Sequence, residues 1–341
     1  MRIAIVTDAW HPQVNGVVNT LAQTGAELCA LGHEVSFVTP QSFRTVPCPT
    51  YPSIRLAVLP AAGVARMLRK FAPDAVHIAT EGPLGHAARA FCRRHGWRFT
   101  TSFHTQFPEY LRARVPVPLP WSYAYLRRFH GAAAVTMVAT PSMLMRLEQR
   151  RFRRLALWSR GVDCNLFKPQ PRSSIDWPRP LLLYVGRVAV EKNLEAFLQL
   201  QVAGTKVIVG DGPDSARLRA AHPDGRFLGE KRGRALAAIM AAADVLVFPS
   251  RTDTFGLVML EAMACGVPVA AFPVTGPIDV VRDGKTGVLD EDLATAIAGA
   301  LKIPRQNCVD YARRRTWRAC AERFASLLAP VDHRKRIVPA Q

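Results

Sequence analysis

The sequence predicts an α/β protein of two consecutive domains, each with a parallel sheet that is covered by helices. Three observations predict this class. The length of 341 residues suits about two domains of ordinary size, and 49% hydrophobic content is enough for two packed cores. Short β-branched segments alternate with longer helical patterns, and this alternation stops only once, at a proline-rich segment.

In the first half of the chain, strands are predicted near residues 3–7, 34–39, 75–79, 98–103 and 134–139. Helices are predicted between them, near residues 17–31, 83–95 and 121–130. In the first helix, Val17, Leu21 and Leu28 fall on one stripe around the small Gly25, which is the pattern of a helix that lies on a sheet. Strands and helices that alternate in this way form parallel sheets with right-handed crossovers.

The alternation pauses between Lys168 and Pro180, where four prolines fall within 13 residues. Prolines at this density disfavour regular structure, so we interpret residues 169–180 as a linker. The alternation resumes at residues 181–186 and continues with strands near 206–209, 245–249 and 268–272. We therefore expect an N-terminal domain over 1–168, a C-terminal domain over 181–307, a C-terminal helix over 308–330 that could pack on either domain, and a basic tail over 331–341.

The charge of the chain favours an anionic partner. Lys and Arg number 45 against 26 Asp and Glu, which gives a formal net charge of +19. Residues 1–168 hold +13 of this excess, so the N-terminal half is the more basic. A nucleic acid, a nucleotide or an acidic membrane surface would each suit such an excess.

Cysteine spacing and the apolar segments indicate the compartment. The seven cysteines are odd in number, lie at least 12 positions apart and include no Cys-x-x-Cys pair, which argues against a disulfide framework or a structural zinc site. The apolar run at the amino terminus is too short for a signal peptide. Prolines and glycines interrupt the longest uncharged stretch, residues 262–278. We therefore expect a cytoplasmic protein without a membrane-spanning segment.

Several motifs of common enzyme classes are absent. The loop after the first strand has one glycine, Gly16, where a dinucleotide-binding fingerprint needs three. Gly284-Lys285-Thr286 resembles the end of a P-loop, but Asp279 occupies the position of the required earlier glycine. The sequence contains neither His-Glu-x-x-His nor Gly-x-Ser-x-Gly. These absences argue against dehydrogenases, P-loop enzymes, metalloproteases and serine hydrolases.

The segment 244–269 carries the clearest chemical pattern. A predicted strand ends in a polar loop, and a helix is predicted to begin near Thr254 with Gly256 in its first turn. Backbone amides at such a helix start form a site for phosphate. Asp253 and Glu261 flank the helix start with seven residues between them, so both carboxylates can face one cleft. In the alternative interpretation, Asp253 or Thr254 only caps the helix and Glu261 is a surface residue.

A second set of candidate residues follows the first two strands of the C-terminal half. Arg187 and Lys192 lie five positions apart in a strand-to-helix turn. A guanidinium and an ammonium at the carboxyl end of a parallel strand suit a diphosphate, although both could simply be surface charges. Gly210 and Gly212, in Gly-Asp-Gly-Pro, allow the backbone to approach a ligand closely.

Together these motifs resemble family 4 of the retaining, nucleotide-sugar-dependent glycosyltransferases. The resemblance rests on Gly-Arg-x4-Lys-Asn at 186–193, Gly-Asp-Gly-Pro at 210–213, and the acid-x7-Glu block that ends in Glu-Ala-Met-Ala-Cys-Gly-Val-Pro-Val at 261–269. It covers essentially the whole chain, because residues 15–17, 102–105 and 160–163 resemble the family's glycine loop, N-terminal histidine loop and pre-linker turn. The loops at 102–105 and 275–281 further resemble the branch of glycolipid-forming and GDP-mannose-dependent α-mannosyltransferases.

The resemblance implies the GT-B fold, in which two Rossmann-like domains have parallel sheets that face a central donor cleft. It also implies the site. The expected catalytic residues are His104, Asp253, Arg187 and Lys192. The expected donor-binding residues are Gly16, Arg187, Lys192, Gly210, Asp253, Thr254, Phe255, Gly256, Leu257 and Glu261. Asp253 departs from the family, which usually has Glu there, and is one methylene shorter.

The roles that the resemblance implies are specific. Arg187 and Lys192 would hold the donor diphosphate, Glu261 would bond the ribose hydroxyls, and His104 would approach the sugar from the other domain. The implied reaction moves a glucosyl, glucuronosyl or mannosyl unit from a UDP-sugar or GDP-mannose with retention of configuration. Because its transition state separates an oxocarbenium from a diphosphate, electrostatic stabilisation should dominate. No cofactor and no metal ion is expected. In the alternative, His104 is a buried, hydrogen-bonded histidine without a catalytic part.

The acceptor is predicted from the basic N-terminal half. Basic and aromatic residues interleave over 110–129, and arginines cluster at 146–154 and in the tail at 334–336. This combination is typical of a peripheral contact with an anionic membrane, which would bring a lipid acceptor such as diacylglycerol within reach. We therefore expect attachment to the inner face of the cytoplasmic membrane.

Two alternatives remain open at this point. The first is a soluble glycosyltransferase that acts on a saccharide or another small molecule. The second is a basic nucleic-acid-binding protein, which would leave Asp253 and Glu261 without a role. The sequence shows no nucleic-acid-binding signature, so no nucleic acid partner is expected.

Overall fold

The computed structural model describes residues 1–13, 15–48, 51–104, 109, 118–171 and 176–333. Contacts divide the chain into two compact units. The first comprises Met1–Ser159 and the chain from Trp317 onward, and the second comprises Arg160–Thr316. Each unit has its own six-stranded sheet, and every strand pair in both sheets is parallel. The predicted fold class is confirmed.

The first unit alternates strands and helices as predicted. Its strands are β1 (Arg2–Val6), β2 (Glu34–Val38), β3 (Thr45–Cys48), β4 (Tyr51–Ala57), β5 (Ala75–Ile78), β6 (Thr100–Phe103), β7 (Val135–Val138) and β8 (Leu155–Leu157). The helices before the second unit are α1 (Gly16–Ala30), α2 (Ala61–Phe71), α3 (Pro83–Arg94), α4 (Leu119–His130) and α5 (Pro141–Gln149). The sheet order is β2-β1-β5-β6-β7-β8, and β3 and β4 form a separate antiparallel pair.

All five strands predicted for this half are present, and so are the three helices. The β3–β4 pair, α2, α5 and β8 were not predicted. The packing of α1 differs by one position from the predicted stripe, because Val18 rather than Val17 is buried with Leu21 and Leu28. A Cβ on Gly25 would lie 2.6 Å from the Phe37 ring, so this glycine allows α1 to approach β2 closely.

The second unit has the strand order β11-β10-β9-β12-β13-β14. Its strands are β9 (Leu181–Val185), β10 (Thr205–Val209), β11 (Arg226–Phe227), β12 (Val245–Phe248), β13 (Val269–Ala271) and β14 (Gly287–Leu289). Its helices are α6 (Leu194–Leu198), α7 (Ser215–Ala221), α8 (Gly233–Ala242), α9 (Leu257–Ala264), α10 (Pro277–Val280), α11 (Leu293–Ala300) and α12 (Arg305–Arg313). Single 3-10 turns lie at Pro40–Ser42 in the first unit and at Val190–Lys192 in the second.

The C-terminal helix predicted over 308–330 is divided in two. The part that belongs to the second unit is α12, and the remainder is α13 (Trp317–Leu327), which packs against α1 in the first unit. The physical reason is that the two parts bury different faces in different cores. Cys308 and Ala312 are buried on α12, whereas Trp317 and Phe324 are buried on α13.

The units separate at Ser159 and Arg160, before the proline-rich segment that was interpreted as the linker. The described part of that segment, residues 169–171 and 176–180, belongs to the second unit. Residues 172–175 and the predicted tail from 334 onward lie outside the described residues. None of the helices in the described ranges is both long enough and apolar enough to cross a bilayer.

Candidate active site

The second sheet has its topological switch point between β9 and β12. From β9 the strand order runs outward in both directions, so the loops after β9 and β12 leave the carboxyl edge of the sheet side by side. In open α/β sheets this crevice is where ligands usually bind. Arg187 and Lys192 lie in the first of these loops, and Asp253 and Thr254 lie in the second. The topology therefore brings the two predicted motifs together.

The side chains of Lys192 and Asp253 join the two loops directly. Lys192 Nζ lies 2.5 Å from Asp253 Oδ1, and the two side chains are 21% and 15% exposed. Around this ion pair, the hydroxyl of Thr252 donates to the Glu191 carbonyl at 3.2 Å, and Asn193 Nδ2 donates to the Pro249 carbonyl at 3.1 Å. Hydrogen bonds to backbone carbonyls, as well as the ion pair, therefore hold the two loops together.

Two glycines allow the loops after β9 and β10 to pass each other in close contact. A Cβ on Gly210 would lie 1.8 Å from the Gly186 carbonyl oxygen, so no larger residue fits there. The Gly186 amide in turn donates to the Val209 carbonyl at 3.0 Å. The hydroxyl of Tyr184 donates to the Arg187 carbonyl at 2.7 Å, which fixes the backbone of that loop. The sequence predicted the role of Gly210 as a position of close approach, although the neighbour is the protein backbone.

The helix after the second loop begins later than predicted. It was expected near Thr254 with Gly256 in the first turn, but α9 begins at Leu257 and Gly256 is its N-cap with φ 83°. Only glycine adopts this conformation readily, and a Cβ there would also lie 2.9 Å from the Phe248 ring. Because Gly256 has no side chain, the N-cap residue cannot accept the first amides of α9. The Phe255 side chain is buried, with 7% exposed, which leaves its backbone to contact a ligand.

Glu261 lies on α9, one turn beyond its start. The residue is half-buried, and burial raises the pKa of its carboxyl group to about 7. Among the described residues, none donates a hydrogen bond to this carboxylate or pairs with it. A carboxylate in this state gains from a ligand that supplies hydroxyl donors.

The remaining predicted residues, Gly16 and His104, lie in the first unit. Gly16 is the first residue of α1, and Asn15 Oδ1 caps this helix by accepting the amides of Val17 and Val18, both at 3.0 Å. His104 follows β6, is 8% exposed, and lies edge-on to Trp158 with ring centroids 5.7 Å apart. Both residues follow strands of one parallel sheet at its carboxyl edge.

Sequence reasoning missed the buried carboxylate of Asp8, which follows β1. Asp8 is 5% exposed. It accepts hydrogen bonds from the Leu84 amide at 2.9 Å, the Gly85 amide at 3.3 Å and the Thr80 hydroxyl at 2.8 Å. Burial raises the pKa of Asp8, and the hydrogen bonds from Leu84, Thr80 and Gly85 oppose that rise. The sequence feature that could have identified Asp8 is its position directly after an apolar strand.

A second missed pair lies beside it at the same edge of the first sheet. His130 Nε2 lies 3.0 Å from Glu81 Oε1, and His130 Nδ1 lies 2.9 Å from the Thr101 hydroxyl. The hydroxyl of Tyr125 donates to the Glu81 carbonyl at 3.2 Å. These contacts link α4 to the loop that follows β5.

The exposed side of α4 carries part of the predicted basic and aromatic segment. Trp121 is 74% exposed and Tyr125 is 44% exposed, and Arg128 is exposed one turn further on. Tyr123 and Phe129 are buried in the core. Residues 110–117 of the predicted segment lie outside the described residues. The exposed stripe follows the spacing i, i+4 and i+7 of one helix face.

Three residues of the predicted arginine cluster at 146–154 contact the protein itself. Arg146 pairs with Glu109 at 2.5 Å, the Arg150 guanidinium lies 3.7 Å from the centre of the Tyr123 ring, and Arg154 donates to the Gly131 carbonyl. The cluster therefore stabilises the fold as well as contributing charge, and Arg151 and Arg153 are exposed.

Comparison with known proteins identifies the family. The model described as "Glycosyltransferase Family 4" matches residues 14–166, and the model described as "Glycosyl transferases group 1" matches residues 179–303. A GDP-mannose-dependent alpha-mannosyltransferase of Mycobacterium tuberculosis is 32% identical over 315 residues, which cover 85% of this chain and 83% of that protein.

Two further comparisons extend over almost the whole chain. A GDP-mannose-dependent alpha-(1-6)-phosphatidylinositol dimannoside mannosyltransferase of Mycobacterium tuberculosis is 29% identical, and the match covers 96% of each protein. The structure of sucrose-phosphate synthase from Thermosynechococcus elongatus superposes with a TM-score of 0.75 at 22% identity, over 96% of this chain and 98% of that one.

The fold and the matched motifs define an enzyme of the GT-B glycosyltransferase class. More particularly, the chain belongs to glycosyltransferase family 4 and is a hexosyltransferase. The family and the fold predicted from the motifs are confirmed.

Proposed function

We propose that this enzyme transfers a mannosyl unit from GDP-mannose to a lipid acceptor at an anionic membrane surface, with retention of configuration and without a metal ion. The observation that carries the proposal is the arrangement at the β9–β12 switch point. Lys192 and Asp253 are in contact there, Arg187 lies in the same loop as Lys192, and Glu261 follows on α9.

Each part of the donor has a matching group in the second unit. A diphosphate carries concentrated negative charge, which Arg187, Lys192 and the start of α9 would bind. The half-buried carboxylate of Glu261 would accept hydrogen bonds from the ribose hydroxyls. Asp253 would accept hydrogen bonds from the sugar. Mannose and guanosine are preferred because the similar proteins described above are GDP-mannose-dependent.

The proposed mechanism is electrostatic. As the bond to the leaving phosphate breaks, positive charge develops on the sugar and negative charge on the diphosphate. Arg187, Lys192 and the α9 amides would stabilise the diphosphate more strongly in this transition state than in the ground state. The leaving phosphate would take the proton of the acceptor hydroxyl on the same face of the sugar, which gives retention.

The lipid acceptor is supported by the first unit. Its sequence carries most of the basic excess. The exposed stripe on α4 presents Trp121, Tyr125 and Arg128 along one face. Aromatic rings settle at the level of lipid headgroups, and arginines attract anionic lipid. One of the similar proteins is named as a mannosyltransferase of phosphatidylinositol dimannoside, which is a lipid.

Ligand-dependent thermal unfolding tests the donor. GDP and GDP-mannose should stabilise the protein by about 2.7 kcal/mol at 100 times the dissociation constant. UDP, ADP and their sugar conjugates should not, and Arg187→Ala should remove the effect of GDP. EDTA should leave both stabilisation and turnover unchanged. Stabilisation by UDP alone would contradict the proposed nucleotide, and no response to any nucleotide would contradict the donor site.

Vesicle co-sedimentation and product analysis test the acceptor. At about 0.1 M salt, the protein should sediment with anionic vesicles and not with neutral ones, and Trp121→Ala with Arg128→Gln should weaken sedimentation. Leu301→Ala, which removes an exposed apolar side chain from the second unit, is the control. Labelled mannose should enter the lipid fraction. Label that enters only water-soluble saccharides would contradict the lipid acceptor.

A further inference from the structure

The Lys192–Asp253 ion pair joins two groups that the proposed function assigns to different parts of the donor. Lys192 would bind the diphosphate, whereas Asp253 would bind the sugar. The structure places them in contact, at 2.5 Å, with most of both side chains out of water. Any donor must therefore compete with a contact that the protein already makes.

The contact between Lys192 and Asp253 affects how strongly Lys192 attracts a diphosphate. An ammonium group beside a carboxylate presents little net positive charge to an incoming phosphate, because the two charges largely cancel beyond their own separation. The partial burial of the pair makes this cancellation stronger than it would be at a solvated surface, where water and salt screen charges. Asp253 therefore weakens the attraction between Lys192 and a diphosphate.

The sugar reverses this effect. Sugar hydroxyls donate hydrogen bonds, and a carboxylate is an acceptor that can take several of them. When a sugar is attached to the diphosphate, Asp253 gains these donors as Lys192 gains the phosphate. When the sugar has been transferred, the diphosphate alone offers nothing to Asp253, and the carboxylate is left to repel it.

The surrounding loops favour a side-chain exchange over a movement of the backbone. The hydroxyls of Ser250 and Thr252 both donate to the Glu191 carbonyl, at 3.4 and 3.2 Å. Gly276 packs against the same loop, since a Cβ there would lie 2.9 Å from the Asp253 carbonyl oxygen. The loops are held on both sides, so the carboxylate can change partners while its backbone stays in place.

We propose that the Lys192–Asp253 ion pair makes the site discriminate the intact nucleotide sugar from the nucleoside diphosphate product. Asp253 is thus a specificity-determining residue that favours product release. This inference rests on the proposed function, because it requires a diphosphate at Lys192.

Isothermal titration of GDP and of GDP-mannose tests the inference. Asp253→Asn should bind GDP about 3- to 10-fold more tightly than the wild type, which is the effect of one partly buried opposing charge. GDP-mannose should bind no more tightly than before, so the ratio of the two affinities should collapse. Asp253→Glu keeps the charge and should keep the GDP affinity within about threefold of the wild type. The melting temperature of each variant without ligand shows that it is folded.

Two controls separate the ion pair from the net charge. Glu291→Gln removes the same charge from an exposed carboxylate that pairs with Arg251, two positions from Asp253, and should leave the GDP affinity unchanged. Lys192→Met removes the cation of the pair, and this variant should bind GDP more weakly than the wild type, because Asp253 is left as an uncompensated carboxylate beside the diphosphate.

Several outcomes would overturn the inference. GDP binding that is unchanged or weaker in Asp253→Asn would do so, as would an equal gain in Glu291→Gln. If the wild type binds UDP or ADP rather than GDP, the same titration is made with that nucleotide and its sugar conjugate. A wild type that binds none of the three would overturn the donor site and the ion-pair inference together, whereas normal binding without a gain in Asp253→Asn would overturn the ion-pair inference alone.

Discussion

The two sheets of this enzyme have similar topologies, yet they use the acid at the switch point differently. In the first sheet, Asp8 follows β1 and accepts the amides of Leu84 and Gly85 at the start of α3. In the second sheet, Asp253 follows β12 and lies on Lys192, and the N-cap of α9 is Gly256. The first acid accepts hydrogen bonds from backbone amides at a helix start of its own unit. The second is placed among groups that a ligand can use.

The difference teaches how a common topology gives the acid after a strand a structural role in one sheet and places it among candidate binding groups in the other. The carboxyl edge of an open parallel sheet gathers helix starts and loop side chains in either case. What decides the outcome is whether a side chain already accepts the helix amides. In the first unit, the side chain of Asp8 accepts amides at the start of α3. In the second unit, the N-cap of α9 is Gly256, which has no side chain that could accept them.

The largest expected effect comes from removing the cations at the β9–β12 switch point. Arg187→Ala and Lys192→Ala should each lower kcat/KM by about 100-fold or more, because in the proposed mechanism each removes a charge that stabilises the leaving diphosphate. Their melting temperatures should stay close to that of the wild type. Steady-state kinetics with varied donor concentration is the measurement.

Arg217→Ala is the matched control for this prediction. Arg217 is an arginine of the same unit, 56% exposed and paired with Glu195 at the surface, so its loss should leave kcat/KM within about twofold of the wild type. Equal losses in all three variants would mean that general charge, rather than the switch point, controls donor binding.

Removing Asp8 should affect stability instead. Asp8→Ala should lower the free energy of unfolding by about 2–4 kcal/mol, because it removes a helix cap and leaves two buried amides and the Thr80 hydroxyl without their acceptor. Asp253→Ala should lower it by about 1–2 kcal/mol, because the Lys192 ammonium that it leaves is partly exposed and can turn to water. Hydrogen exchange resolved along the chain would assign each loss to its unit. A larger loss in Asp253→Ala than in Asp8→Ala would reverse the comparison.

The smallest effect is the pH dependence that Glu261 imposes. Its pKa is raised from 4.5 to about 7, so the folded state holds this proton more tightly than the unfolded state. The resulting stability is fully present below about pH 4.5 and is lost as pH rises through about 7. Glu261→Gln should therefore gain about 1–3 kcal/mol over the wild type between pH 5 and 8. Urea unfolding of the wild type and of Glu261→Gln, at pH 5 and at pH 8, measures this difference in stability.

Binding should follow the opposite course. Ionised Glu261 is the better acceptor for ribose hydroxyls, so the wild type should bind the nucleotide more tightly as pH rises through about 7. The Glu261→Gln variant should show a flatter profile. Identical profiles in the two proteins would mean that Glu261 does not contact the ligand.

The sequence predicted nine of the twelve strands in the two sheets, because each of the nine is a short apolar run bounded by polar or glycine-rich turns. It missed β8, β11 and β14, which have three residues or fewer. It also placed Lys192 and Asp253 in two loops at carboxyl ends of strands, and their contact follows from strand order. It did not predict the start of α9, because the left-handed conformation of Gly256 depends on its packing against Phe248 and Met259. The roles of His104, Arg187 and Glu261 stay predictions.

The sequence by itself determined the fold class and the family, and it named candidate residues for the chemistry, since periodicity and motif spacing are local properties of the chain. Only the tertiary structure decided which partner each charged group has. Asp8 and Asp253 both follow an apolar strand, and the acid-x7-Glu spacing marks Asp253 alone, but neither position shows which group its carboxylate contacts. Residues distant in sequence supply those partners, because the amides of Leu84 and Gly85 reach Asp8 and the ammonium of Lys192 reaches Asp253. Long-range packing sets these contacts, and with them the different surroundings of the two acids.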